Sequence, residues 1–305
     1  MSQLKRIGGS TVAAIAGENP HCSPFQAWLR LTGQMPDQEG NEAMALGNDL
    51  EAPIASWYSK TKPALLSKGA EILHPTKEFV SGTPDFLALE DQRLVEVKTA
   101  GLVSPFFKGE EWGEAGTDQI PNNYRLQVQW YMQQGLTGLP VCDVAALIAG
   151  RGRLIFTIPA DQELIGMLLT IAERFWVDHV LTGREPALEA RDREDFRSWY
   201  GRRYPKSDAT LRAATPQEVE WLEVYRKYRD ARDASEERMK ELELKLTGNL
   251  NGADGITSER GKFTYKLCKG STQWKDVAGA LKATPELAEK FRGPAYRRLF
   301  FSFKD

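Results

Sequence analysis

The sequence predicts an α/β body of about 200 residues followed by an α+β appendage of about 100. Three observations carry this. Short aliphatic runs bounded by turn residues alternate with amphipathic stretches as far as Gly183. A polar, charged, Pro-containing stretch, residues 184–216, then breaks the alternation and reads as a linker. Beyond it lie one long charged helical pattern and several short alternating segments. The boundary is set between residues 1–205 and 206–305.

The elements follow in order. "IGGSTVAAIAGENP" (residues 7–20) predicts a short helix after a Gly-Gly-Ser lead, stopped by Gly17 and Pro20. "SPFQAWLRLTG" predicts a second helix with Ser23 as N-cap, Pro24 at the first helical position and Gly33 as stop. A longer third helix follows, with Met44, Leu50, Ile54 and Trp57/Tyr58 at roughly helical spacing and a possible kink at Pro53. Extended structure leads into a hairpin over residues 81–100. A Gly-rich, acidic, aromatic loop precedes a helix at "NNYRLQVQWYMQQG". "VCDVAALIAGRGRLIFTIP" predicts two buried strands around a Gly-Arg turn, and Asp161 to Gly183 an amphipathic helix. In the appendage, Thr215 and Glu218 form a capping-box pattern at the start of the long helix. A small hairpin at "GITSERGKFTYKLCKG", a short helix at "TPELAEKF" and a final strand at "YRRLFFSFK" complete the chain.

Composition narrows the function classes. The 305 residues are 41% hydrophobic and 27% charged, ordinary for a globular protein. No apolar run is long enough to cross a bilayer, and the first ten residues lack a signal-peptide core. Cys22, Cys142 and Cys268 form no C-x-x-C pair, which disfavours zinc-ribbon and iron–sulfur sites and fits a reducing, intracellular compartment. His21, His74 and His179 are scattered and support neither a histidine metal site nor a Ser-His triad. Net charge is −2, but residues 245–305 hold 12 Lys/Arg against 6 Asp/Glu. A basic tail on an acidic body fits either phosphate contact or a solvated surface.

The chemistry concentrates in "SGTPDFLALEDQRLVEVKTA", Ser81 to Ala100. A hairpin centred on Glu90-Asp91 pairs Leu89 with Gln92, Leu87 with Leu94 and Asp85 with Glu96. Opposed residues share a face, and Lys98 lies two residues beyond Glu96 on that same face. Val95 and Val97 point to the other. Two carboxylates and an amine therefore crowd one patch. Opposed like charges destabilise a hairpin, and a divalent cation such as Mg2+ would relieve them, since hard cations take carboxylate oxygens.

Five blocks in order resemble a known family: "IGGS" (7–10), "LGNDLE" (46–51), "SGTPDFLA" (81–88), "LVEVKTA" (94–100) and "IPNNYRLQVQWYM" (120–132). Together they resemble the lambda-exonuclease-type, YqaJ-like viral recombinases of the PD-(D/E)XK nuclease superfamily, over about the first 180 residues. The resemblance implies a restriction-endonuclease-like α/β core, a central mixed sheet flanked by helices. It implies a 5′-to-3′ exonuclease acting on linear double-stranded DNA with Mg2+, or Mn2+ in its place. Asp85, Glu96 and the Val97 carbonyl would hold the metal, Glu51 would complete its shell, and Lys98 would orient the attacking water or stabilise developing charge. Ser10, Thr83 and Gln127 would line a pocket for a 5′-phosphate. The family's phosphate-binding arginine falls at Gln3 here, so Lys5 or Arg6 would substitute. Further implications are a phage or prophage origin, action in the bacterial cytoplasm, a single-strand annealing partner and a trimeric ring. A nuclease of other polarity, or a catalytically inactive DNA-end-binding protein on the same fold, are the competing expectations.

Each residue also has an ordinary reading. Glu51 could be an exposed helix glutamate, Asp85 a turn residue, and Glu96 with Lys98 a strand-edge ion pair. Ser10 could cap the first helix. Phe106, Phe107 and Trp112 could stack on a strand end, although a loop folded onto its own aromatics is the simpler expectation. Trp130 and Trp176 are expected in the core.

Overall fold

The computed structural model describes residues 5–35, 40–104, 107–205 and 212–268, together with the backbone of 296–303. Gln3, Phe106 and the helix expected at "TPELAEKF" lie outside these residues. The chain divides into two compact units, Met1–Ser207 and Asp208–Asp305.

The first unit is a mixed α/β layer structure. Its helices are α1 (Gly9–Ile15), α2 (Pro24–Leu31), α3 (Glu42–Thr61), α4 (Asn122–Met132), α5 (Gln162–Phe175) and α6 (Arg193–Arg203). Its strands are β1 (Ser67–Lys68), β2 (Ile72–Leu73), β3 (Ser81–Gly82), β4 (Phe86–Ala88), β5 (Arg93–Ala100), β6 (Val141–Ile148) and β7 (Gly152–Pro159). The main sheet runs β1-β4-β5-β6-β7, and β2 pairs with β3 alone. Within the main sheet the β5–β6 pair is parallel and the other pairs antiparallel, and the intervening loop and α4 supply the long connection a parallel pair needs. This is the central mixed sheet flanked by helices that the resemblance implies.

The local signals explain the helix ends. Ser23 and Gln26 form a capping box on α2, with Pro24 at N1, and Gly33 takes φ +65° after its last turn. Asp161 accepts the Leu164 amide hydrogen at 3.0 Å and starts α5. Beyond Phe175 that helix continues as a π-helical turn, Trp176–Leu181, whose His179 carbonyl accepts the Trp28 indole hydrogen at 3.0 Å. Helix α3 runs unbroken through Pro53.

The core has two parts, one on each face of the sheet. Helices α1, α2, α4 and α5 pack Val12, Phe25, Trp28, Val128, Trp130 and Leu168 against Leu94, Val144 and Ile148. On the other face Ile54, Ala55 and Tyr58 of α3 cover Val95, Val97 and Ala145. The end of α3 is pinned there by buried Asp143, which accepts from Tyr58 Oη (2.7 Å), Lys62 Nζ (2.9 Å), Arg93 Nη1 (2.6 Å) and Thr157 Oγ1 (2.7 Å). Burial alone would raise the Asp143 pKa, but these donors outweigh it and hold the carboxyl below its ordinary value.

Two expectations need correction. The stretch read as a linker contains a 3-10 turn, Ala190–Asp192, and α6. Trp199 of α6 is buried against Phe25 (5.8 Å between ring centroids) and Trp28 (5.7 Å), and Asp192 receives the Ser23 hydroxyl hydrogen. Phe196 and Trp199, three residues apart, give α6 an apolar edge narrow enough to be lost among its charges. Trp176 is only partly buried and stacks on Phe79 at 5.4 Å. Trp130 is fully buried, as expected.

The second unit holds α7 (Pro216–Gly248), β8 (Gly255–Ser258), β9 (Gly261–Cys268) and β10 (Tyr296–Phe303), with the sheet order β10-β9-β8, all antiparallel. The Thr215–Glu218 capping box starts α7. None of the 33 residues of α7 is buried.

Candidate active site

Strand register assembles the site. Leu87 pairs with Leu94 and Phe86 with Val95, so Asp85 stands at the end of β4 beside Glu96. Asp85 Oδ2 accepts the Val97 amide hydrogen at 2.8 Å, and the Asp85 amide points at Glu96 Oε2 at 3.4 Å. Lys98 Nζ donates to Glu96 Oε1 at 2.8 Å, and the two side chains are only 15% and 2% exposed. The Lys98 ammonium also lies 5.0 Å from the centroid of the Tyr124 ring, within cation–π range. The expected crowding of two carboxylates and an amine on one face is therefore present, and the pair is not the exposed strand-edge ion pair of the ordinary reading.

Helix α4 closes the site. Gln127 Nε2 donates to Glu96 Oε1 at 2.9 Å and to the Tyr131 hydroxyl oxygen at 3.0 Å. Two motif glycines make room for this pair. A Cβ on Gly9 would lie 2.8 Å from Gln127 Cγ and from the Tyr131 ring; one on Gly82 would lie 3.0 Å from the same ring. The glycines of "IGGS" and "SGTPD" thus let the first helix and β3 approach Tyr131 closely.

The electrostatics follow from burial. Burial, and then the Glu96 charge, push the Asp85 carboxyl up to about 7, against the pull of Lys98 and the Val97 amide. Burial opposes the charge on Lys98, but Glu96 and Asp85 outweigh it and raise its pKa above the ordinary lysine value. Burial, and then Glu96, likewise raise the Tyr131 phenol, which stays protonated. Asp85 therefore holds its proton more tightly than an ordinary aspartate, beside the charged Lys98 that donates to Glu96.

Asp85, Glu96, Lys98 and Gln127 line a cavity of about 550 Å3 together with Glu51, Tyr124 and Thr99, with Tyr131 behind Gln127. Glu51 reaches it from α3, where its carboxylate is ion-paired with Lys68. Among the described residues, no group of three or more His, Cys, Asp and Glu side chains forms a metal-ligand cluster. Asp85 and Glu96 are the adjacent carboxylates that could hold a hard cation, which often takes only one or two and completes its shell with water.

A second cavity of about 350 Å3 shares His21 and Met44 with the first. It is lined by Lys5, Arg6, Arg30, Ser10, Thr11 and Asn19, with no carboxylate among its lining residues. The residues expected around a 5′-phosphate are therefore divided. Lys5, Arg6 and Ser10 line this basic cavity, Gln127 lines the acidic one, and exposed Thr83 lines neither. Arg6 Nε donates to the Glu78 carbonyl at 3.0 Å. Ser10 does not cap α1, whose N-cap is Gly8 without a side-chain bond. Trp112 is buried against Phe156 (5.2 Å) and Tyr124 (5.8 Å), so this part of the loop folds onto aromatics of the body.

Three contributors were not read from the sequence: Tyr131, Lys68 and Arg30. Tyr131 had a signal, since it lies four residues after Gln127 on one helix and so on the same face. Lys68 and Arg30 had none, because their neighbours in the site come from distant elements.

Residues 2–139 match the model of the YqaJ-like viral recombinase domain. The chain is 28% identical over 297 residues to the uncharacterized protein YqaJ of Bacillus subtilis (strain 168), covering 95% of this chain and 86% of that protein. Among solved structures it is similar to an alkaline exonuclease, LHK-Exo, from Laribacter hongkongensis, at 23% identity and a TM-score of 0.42, covering 58% of this chain and 89% of that one. It is also similar to a phage related exonuclease from Haemophilus somnus 129PT, at 18% identity and a TM-score of 0.43, covering 60% of this chain and 98% of that one.

Proposed function

We propose that this chain, whose residues 2–139 match the model of the YqaJ-like viral recombinase domain, is a metal-dependent exonuclease that degrades the 5′ strand of linear duplex DNA. The observation that carries the reading is the arrangement of Asp85, Glu96 and Lys98 at one end of a cavity whose neighbour is basic. Acidic groups suit a cation, and the basic cavity suits the phosphates of a DNA end. The 3′ single strands left behind would serve recombination by strand annealing, with a single-strand annealing protein as partner. A homo-oligomeric ring and action in the cytoplasm of a bacterial host belong to the same reading. Among the described residues no helix is long and apolar enough to cross a membrane.

Asp85 and Glu96, with the Val97 carbonyl, would hold Mg2+, or Mn2+ in its place. The fit rests on the chemistry of the donor set, two adjacent carboxyls, Glu96 buried and Asp85 partly so, that line one cavity. Glu51 would join from α3 on leaving Lys68. When bound, the cation polarises a phosphoryl oxygen and makes its water more acidic. The chain's own groups do the rest. Lys98, charged and held by Glu96, faces the cavity and stabilises negative charge that develops on the scissile phosphate. Gln127 holds Glu96 in its rotamer, and Tyr131 holds Gln127. Lys5, Arg6, Arg30 and Ser10 would take the terminal phosphate in the adjoining cavity.

Polarity is tested on linear duplex DNA labelled at either the 5′ or the 3′ end of one strand. The reading expects early release of the 5′ label as mononucleotide and late loss of the 3′ label. The reverse order, or internal cuts in a closed circle, would replace it with a nuclease of other specificity.

A further inference from the structure

Helix α6 was expected to be a linker, and its outer face has no part in the site described above. Arg193, Arg197 and Tyr200 are spaced i, i+4 and i+7, which sets them in one stripe along the helix, and Tyr204, its C-cap residue, extends the stripe beside Tyr200. All four are exposed; the two tyrosines are 51% and 54% accessible. Their rings lie 4.7 Å apart, centroid to centroid. Arg203 is drawn over Trp199 and Tyr204 at 5.6 and 5.9 Å, and Arg202 is tied to the Gln34 carbonyl at 3.0 Å. The guanidinium groups of Arg193 and Arg197, in contrast, have no ion pair or hydrogen bond among the described residues. Of the nearby acidic residues, Asp192 receives the Ser23 hydroxyl hydrogen and Asp195 a Gln26 amide hydrogen, and exposed Glu194 makes no side-chain ion pair with either arginine.

We propose that this stripe binds single-stranded DNA, an inference that rests on the chain being a DNA nuclease. Two arginines without partners offer phosphate contacts, and two exposed tyrosines offer faces on which successive bases stack whatever their sequence. The stripe spans about 16 Å at 1.5 Å per residue, room for a few nucleotides. An apolar protein partner would leave the two arginines uncompensated; a polyanion with flat bases satisfies both halves of the stripe. The mounting is rigid, because Phe196 and Trp199 pack on Phe25 and Trp199 Nε1 donates to Gln34 Oε1 at 2.7 Å. Helix α2 carries α6 on one side and contributes Arg30 to the basic cavity, so the stripe lies one helix away from the place proposed for the DNA end.

The test measures binding of a fluorescent oligothymidylate by the full chain in EDTA, and in parallel cleavage of a linear duplex with Mg2+. Three double variants are compared after their melting curves are matched to wild type. Tyr200→Ala/Tyr204→Ala should weaken single-strand binding by at least about tenfold. Tyr200→Phe/Tyr204→Phe should stay within about twofold, because the ring faces remain. Arg193→Gln/Arg197→Gln should reduce the slope of log affinity against log salt by about 1.4, two phosphate contacts at roughly 0.7 each. Unchanged binding in the alanine variant overturns the proposal, as does a phenylalanine variant as weak as the alanine one. If the duplex is cleaved while single-strand affinity is indifferent to all three, the surface is wrong and the nuclease reading stands. If wild type cleaves nothing but single-strand binding follows the expected pattern, the nuclease reading fails and the surface stands.

Discussion

Asp85 and Glu96 face each other at the end of a hairpin, the Asp85 amide 3.4 Å from Glu96 Oε2 and the Asp85 carboxylate locked onto the amide of Val97. Asp85 is held near 7, whereas an unfolded chain ionises it near 4. The folded state therefore keeps a proton that the unfolded state gives up. Its contribution to stability is complete below about pH 4 and is lost as pH rises through about 7. Asp85→Asn, which keeps the acceptor for Val97, should raise metal-free stability at pH 8 by about 2–4 kcal/mol and leave it nearly unchanged at pH 4. Denaturant melts at the two pH values check this. Equal effects at both would contradict a pKa raised by folding.

The same linkage predicts how Mg2+ acts. A cation favours the ionised pair, so it should raise the melting temperature of wild type at pH 8 more than at pH 5.5, and that of Asp85→Asn at neither. Calorimetry with and without EDTA reads the difference. A pH-independent Mg2+ effect that survives in Asp85→Asn would place the ion elsewhere.

Tyr131 holds Gln127, which holds Glu96. Tyr131→Phe keeps the packing under Gly9 and Gly82 and should lower turnover by about tenfold with little change in stability, roughly one hydrogen bond's worth of alignment. Gly9→Ala places a methyl 2.8 Å from the Tyr131 ring and should cost about 1–3 kcal/mol of stability as well as turnover. Steady-state rates with parallel melts separate the two effects.

The Asp143 cluster lies on the opposite face and should behave as structure. Asp143→Ala strands Arg93 and Tyr58 and should destabilise by about 3–5 kcal/mol. Where the variant stays folded, its pH–rate profile should overlay that of wild type, because Asp143 touches neither Glu96 nor Lys98 through a hydrogen bond.

Much of this was legible in the sequence, for reasons that can be named. The Leu87–Leu94 register followed from alternation and a polar turn, and with it came the Asp85–Glu96–Lys98 face. Ser23, Asp161 and Thr215 announced their helices because capping is local chemistry. Local signals could not show that Gln127 turns to Glu96 rather than toward Ser10, nor that Glu51 is held by Lys68. Those contacts depend on how α4 and α3 sit on the sheet. Helix α6 escaped notice because a helix whose apolar contacts come from Phe196 and Trp199, and whose other contacts are polar, is nearly as polar as a linker. Tyr131 was passed over as an ordinary helix tyrosine, although its spacing from Gln127 was in plain view.

The most direct test of the central claim is nucleotide release from linear duplex DNA with a 5′-phosphate or a 5′-hydroxyl, in Mg2+ or EDTA, by wild type and Lys98→Ala. The account predicts Mg2+-dependent loss of the 5′ strand, faster from the 5′-phosphate, and a fall of at least about 100-fold in Lys98→Ala with end binding retained. A folded wild-type protein that binds DNA ends and releases nothing in Mg2+ would contradict it and leave an end-binding protein on a nuclease fold.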